Sequence, residues 1–178
     1  MQRGGGAGGT QGAMPLPPNL LPATTDGPGA TVALGRRIGA ALAPGEVVAL
    51  VGDLGAGKTH LVKGIVAGMG GDAGAVTSPT FTLVHTYQTP RGRVHHIDAY
   101  RIERPADFAE IGGDEVLGDE AAIVLVEWPG RIAAALPAET IRIEIDHAGG
   151  DHRRITRAAP AGHAPAHLRP PPTPPSVP

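Results

Sequence analysis

The stretch GDLGAGKTH at residues 52–60, directly after the apolar run EVVALV, limits what this chain can fold into more than any other feature. Gly52, four residues, Gly57, Lys58 and Thr59 form G-x-x-x-x-G-K-[ST], whose glycines let backbone N–H groups converge on phosphate oxygens with no Cβ in the way. Such a loop joins a buried strand to the first turn of a helix, where free N–H groups and the helix dipole favour an anion. Lys58 can then reach β- and γ-phosphates, and the Thr59 hydroxyl can take a Mg²⁺ position. The phosphate-side candidates are therefore Gly52, Asp53, Leu54, Gly55, Ala56, Gly57, Lys58, Thr59 and His60. Accident explains the pattern poorly even with 27 glycines in 178 residues, because shuffling this composition yields it in roughly 0.4 per cent of chains. Arginine supplies all but two of the 15 basic residues, yet one of the two lysines stands where the cradle needs a compact ammonium.

The length suits one domain with appendages. Gly and Pro contribute 27 and 19 residues, and the prolines crowd the ends: four in residues 1–24 and eight in residues 160–178. Both ends read as low-complexity tails, 1–24 and 159–178, around a folded unit of residues 25–158. Zero cysteines exclude a disulfide framework and thiol or Cys-metal chemistry. The start MQRGGGAGG lacks the apolar segment of a secretory signal and no apolar run reaches spanning length, so a cytoplasmic protein without membrane contact is expected. A formal charge of −2 offers no basic field for gripping nucleic acid, so any RNA is expected to be held through another protein.

Hydrophobic spacing predicts a helix over 30–43, ended by Pro44 and Gly45, before the strand EVVALV. KTHLVKGIVAGMG continues the phosphate loop as a helix with Leu61, Val62, Ile65, Val66 and Met69 on one side. FTLVHTYQT and RVHHIDAY flank PRG at 90–92 and read as an antiparallel hairpin. Residues 104–117 read as short helix and loop, AAIVLVE at 121–127 as a buried strand, and PGRIAAAL as a short helix begun by proline. ETIRIEID alternates at period two, and DHRRITRAA can pair with it as a second hairpin near an edge. The fold class is α/β: a mixed β-sheet flanked by helices, with antiparallel hairpins.

In open α/β sheets ligands sit beyond the carboxyl ends of the strands. Asp98 ends RVHHID and Glu127 ends AIVLVE, an apolar strand plus acid of the kind that holds Mg²⁺ or its waters beside a phosphate loop. Either also fits an ordinary solvated carboxylate, and coexistence with the loop favours the site. Ser78 and Thr80 can offer hydroxyls to phosphate or metal, or serve a turn. His85, His95 and His96 with Asp98 suggest a metal cluster, but adjacent strand residues face opposite ways and the phosphate site already accounts for the aspartate. Trp128 fits core packing or the site mouth. Arg36/Arg37 and Arg153/Arg154 read as solvated faces.

PGEVVALVGDLGAGKTHLVKGI, VTSPTFTLV, HHIDAYRI and VLVEWPGRI, in this order over about residues 30–146, closely resemble the TsaE family, small P-loop ATPases of tRNA threonylcarbamoyladenosine biosynthesis. The resemblance implies a P-loop nucleotide-hydrolase-like sheet, ATP and Mg²⁺ as ligands, and work alongside TsaB and TsaD, with tRNA engaged through that complex. By position it implies Lys58 on phosphate, Thr59 on Mg²⁺, Asp98 and Glu127 serving metal and attacking water, Thr80 in a switch-like loop, and Trp128 near the nucleotide. His60 departs from the family, which usually has a second small hydroxyl residue there, and both tails lie outside the family pattern.

Two other classes compete. A small-molecule kinase would use the same loop, but no long Arg-rich helical lid follows Glu127. A nucleotide-dependent interaction module would hydrolyse ATP only incidentally. A GTPase needs a guanine-reading N-K-x-D, and none occurs.

Overall fold

The structure is a computed structural model, and it describes residues 16–79 and 82–158. In chain order its strands and α-helices are β1 (Ala23–Thr25), α1 (Pro28–Ala41), β2 (Val47–Val51), α2 (Lys58–Gly68), β3 (Val84–Thr89), β4 (Gly92–Asp98), α3 (Pro105–Glu110), α4 (Gly113–Leu117), β5 (Ala122–Glu127), β6 (Ile141–His147) and β7 (Arg153–Arg157). One seven-stranded sheet runs in the order β1-β7-β6-β2-β5-β4-β3. Its centre, β6-β2-β5-β4, is parallel. The edges are antiparallel, formed by the β3/β4 hairpin on one side and by β7 and β1 on the other.

Strand β2, all apolar, and strand β5, apolar up to its last residue Glu127, sit centrally because they need cover on both faces. On one face, α1, α2, Val48, Leu50, Ile123, Leu125 and Ile143 form the larger core. On the other, Ile97, Val124 and Val126 pack with Ile102, Phe108 and Ile132 from shorter elements. Helices α1 and α2 approach backbone to backbone. A Cβ on Gly39 would fall inside contact distance of the Ile65 carbonyl, and one on Gly64 inside that of Val32. Only glycine permits that approach. Arg91, in the β3–β4 turn, donates to the carbonyls of Gly39, Ala40 and Leu42, which the end of α1 leaves without intrahelical partners.

Both expected hairpins are present, the second near an edge, where β1 covers β7. The helix expected over PGRIAAAL shortens to one 3₁₀ turn, Pro129–Ile132. The expected boundary between residues 24 and 25 cuts a packed segment: β1 starts at Ala23, and Leu16, Leu20 and Leu21 are buried in the α1–α2 core. Their apolar area outweighs the Pro-rich composition around them. Residues 1–15 and 159–178, the remainder of the expected tails, lie outside the described residues. Among the described residues no helix is long and apolar enough to cross a membrane.

Candidate nucleotide site

Strand β2 delivers the chain into the loop of residues 52–57, and α2 begins at Lys58. Gly52 passes against β6, where a Cβ would sit 2.5 Å from the Ile145 carbonyl oxygen. Gly57 adopts φ 107°, a left-handed conformation open chiefly to glycine, and turns the chain into the helix. No side chain caps the start of α2, and the first N–H groups of an uncapped helix suit an anion. The Asp53 carbonyl closes the loop by accepting from the Ala56 N–H at 3.1 Å. Ala56 is buried, Gly55 also has positive φ, and Leu54 stands out at the loop tip, 77% exposed. His60 follows in the first turn of α2, half-buried.

The Lys58 ammonium lies across this loop. Nζ donates to the carbonyls of Gly52 at 2.8 Å and Asp53 at 2.9 Å, and sits 4.0 Å from the centre of the Trp128 ring. Burial pushes its pKa below the ordinary lysine value, and the charges of Glu127, Asp98 and Asp53 oppose that shift. A bound polyanion would supply the counter-charge that this buried cation calls for.

Asp98 and Glu127 are register partners at the carboxyl ends of the neighbouring strands β4 and β5. Alternation places Glu127 with Ile123 and Leu125, and Asp98 with Val94, on the sheet face covered by α2. Thr59 Oγ1 donates to Glu127 Oε1 at 2.9 Å. Asp98 accepts from the Ser78 hydroxyl at 2.8 Å and from the Tyr100 N–H at 3.1 Å. The structure thus brings Lys58, Thr59, Asp98, Glu127 and Ser78 to one end of the sheet. Thr80 lies outside the described residues. Hydroxyl and carboxylate oxygens are hard donors of the kind Mg²⁺ accepts.

Trp128 follows β5 at φ 57°, an unusual conformation for a bulky residue. Its ring packs on Tyr100 at 5.1 Å between centroids and over Lys58, so it stands at the site mouth while its flank joins the smaller core.

Two residues in this neighbourhood were not expected. Arg153, read as part of a solvated pair, donates through Nε to the Ala56 carbonyl at 2.9 Å and braces the phosphate loop from β7. Its neighbour Arg154 is exposed, as are Arg36 and Arg37, and nothing in the pair RR distinguishes the two. His96 is completely buried, with Nε2 2.9 Å from Glu127 Oε1. Here a signal was present: in HHID, alternation puts His96 on the face of Asp98. His95 turns the other way and bonds Asp119 at 2.9 Å, so the adjacent histidines do not share a site.

The family described as "Threonylcarbamoyl adenosine biosynthesis protein TsaE" matches residues 25–155. The tRNA threonylcarbamoyladenosine biosynthesis protein TsaE of Bacillus subtilis is 39% identical over 135 residues, covering 76% of this chain and 83% of that protein. The protein of the same name from Treponema pallidum is 38% identical over 128 residues, covering 72% and 93%, and that from Streptomyces coelicolor is 40% identical over 121 residues, covering 66% and 80%. The crystal structure of Bacillus subtilis YdiB superposes with a TM-score of 0.64 at 36% identity, over 78% of this chain and 84% of that one. With a matched region that spans the phosphate loop, both strand-end carboxylates and Arg153, this chain belongs to the TsaE family.

Proposed function

We propose that this chain is a Mg²⁺-dependent ATPase that supports threonylcarbamoyladenosine modification of tRNA together with TsaB and TsaD in the cytoplasm. The observation that carries the reading is the convergence of Lys58, Thr59, Asp98 and Glu127 at the start of α2, with Thr59 bonded to Glu127 at 2.9 Å. The cradle residues 52–59 hold the triphosphate, and Lys58 turns from the loop carbonyls to β- and γ-phosphate oxygens. Thr59, with Asp98 or Glu127, would hold Mg²⁺, which when bound neutralises charge on the phosphate oxygens. Glu127 orients the attacking water and draws on its proton. Trp128 covers the cation, with Tyr100 packed on its ring. The family name supports the pathway, and the net charge of −2, which offers no basic field for RNA, supports engagement of tRNA through a complex.

The test is phosphate release and tRNA modification by the purified chain with and without TsaB and TsaD, compared with Glu127→Gln. The variant is expected to bind ATP, to lose about 100-fold or more in phosphate release, and to stay with its partners in an ATP-bound complex. Equal partner association in ATP and ADP, with normal turnover by the variant, would remove this mechanism. Transfer of the phosphoryl group to a small acceptor would favour the kinase instead.

A further inference from the structure

The buried pair His96–Glu127 asks why a sheet interior carries an imidazole at all. His96 lies on β4 between Val94 and Asp98 on the same face, fully buried, and Glu127 is only 3% exposed. A polar ring at such a place destabilises the fold unless its nitrogens are bonded, and an aliphatic side chain would fill the space without that cost. An ionised carboxylate can only accept, so Nε2 carries the proton and donates to Oε1 at 2.9 Å. The other ring nitrogen is Nδ1. It is buried and has no hydrogen-bond partner among the described residues. One N–H, aimed at one carboxylate oxygen, is what this ring contributes.

Oε1 of Glu127 receives a second donor, the Thr59 hydroxyl. The two donors come from different parts of the molecule. Thr59 belongs to the first turn of α2, next to the phosphate loop, whereas His96 belongs to the sheet and has the Tyr87 ring beside it at 6.3 Å between centroids. A carboxylate held by one hydroxyl can pivot about that bond. Held also from the sheet, Oε1 is fixed independently of what the phosphate loop contacts, and Oε2 lies outside these two bonds.

We propose that His96 is a positioning residue that anchors Glu127 to the sheet through Nε2–H···Oε1, so that the carboxylate presents its other oxygen to the attacking water. This rests on the ATPase reading above.

The side-chain amides of glutamine and asparagine separate this role from simple space filling. His96→Gln places an N–H at about the reach of Nε2, His96→Asn places it near Nδ1, and His96→Phe keeps a ring with no donor. Turnover by the Phe and Asn variants is expected to fall about 10- to 100-fold, the usual cost of removing the partner that orients a functional ligand. His96→Gln should recover most of it. ATP affinity, read from the fluorescence of Trp128, the single tryptophan, should stay within about twofold in EDTA and in Mg²⁺. Thermal unfolding midpoints should not follow the order of turnover. On a Glu127→Gln background, His96→Phe should cost less than about twofold further, since the group it positions is gone. If His96→Phe fails to fold, the Gln and Asn variants decide alone.

Wild-type turnover by His96→Phe, or equal impairment of the Gln and Asn variants, overturns the proposal while leaving the ATPase reading intact. A wild-type chain that binds but never hydrolyses ATP overturns both.

Discussion

The two layers that cover the sheet are built on different principles. On one face, the 14-residue α1 and 11-residue α2 touch through glycines and bury a continuous aliphatic core. On the other, α3 and α4 have six and five residues and gather with 3₁₀ turns around Phe108. Helices that short do not persist unaided and depend on the contacts they make. The division matches the placement of chemistry. The glycine-rich loop of the candidate site leads into α2, whereas Trp128, which packs on Tyr100, belongs to the loop-rich layer. Backbone contact fixes the helix that follows the loop, and side-chain contact holds Trp128.

Adding the same methyl group to each layer tests that distinction most strongly. At Gly39 the new Cβ meets the carbonyl and Cα of Ile65, and neither helix can yield without moving as a body. Gly39→Ala is expected to cost about 3 kcal/mol or more. At Gly113 the obstacle is the ring of Phe108, a buried side chain carried by the short helix α3 and not a backbone. There the same substitution is expected to cost about 1 kcal/mol, the ring shifting to make room. Urea denaturation of both variants gives the comparison. Equal losses would mean that the second layer is as unyielding as the first.

A smaller effect is expected from starting the chain at residue 25. That deletion removes Leu16, Leu20 and Leu21 from the α1–α2 core and Ala23 and Thr24 from β1. Three buried leucines outweigh the entropy of ordering the segment, and the net loss is expected to be about 2 kcal/mol. A chain starting at residue 16 should lose none of it. Thermal unfolding of the two truncations decides, and equal stability would restore residue 25 as the boundary.

What could be read in advance follows the range of each interaction. Strand β2, the loop and α2 are encoded by contiguous pattern, and so are the strand-end acids Asp98 and Glu127. The buried leucines were masked by the prolines among which they stand, because composition averages over residues that packing treats singly. Arg153 shows a second limit. Its bond to Ala56 spans 97 positions and depends on the register of β7 against β6, which no local pattern specifies. The glycines of GRRIG and GIVAG recur every four residues, so a helix–helix contact was written in the sequence, although it was read only as helix.

The weakest expected effect concerns charge in the loop-rich layer. Asp119, before β5, accepts from His95 at 2.9 Å and from Nη2 and Nε of Arg93, at 2.8 and 3.2 Å. The His95 hydrogen bond, helped by Arg93, holds its carboxyl well below the ordinary 3.8, at about 2, against a smaller opposing effect of burial. A carboxylate whose pKa is lower folded than unfolded stabilises the fold above its unfolded value, and the contribution disappears as pH falls through the folded one. Asp119→Asn should therefore lie slightly below the wild type in urea midpoint at pH 7, and the gap should close between pH 4 and pH 2. The pair is surface-placed, so the gap at pH 7 should also shrink in 1 M salt. A gap that stays constant with pH and salt would assign it to the lost geometry of the β4–β5 junction, and would mean that this layer, like the first, is held by shape rather than by charge.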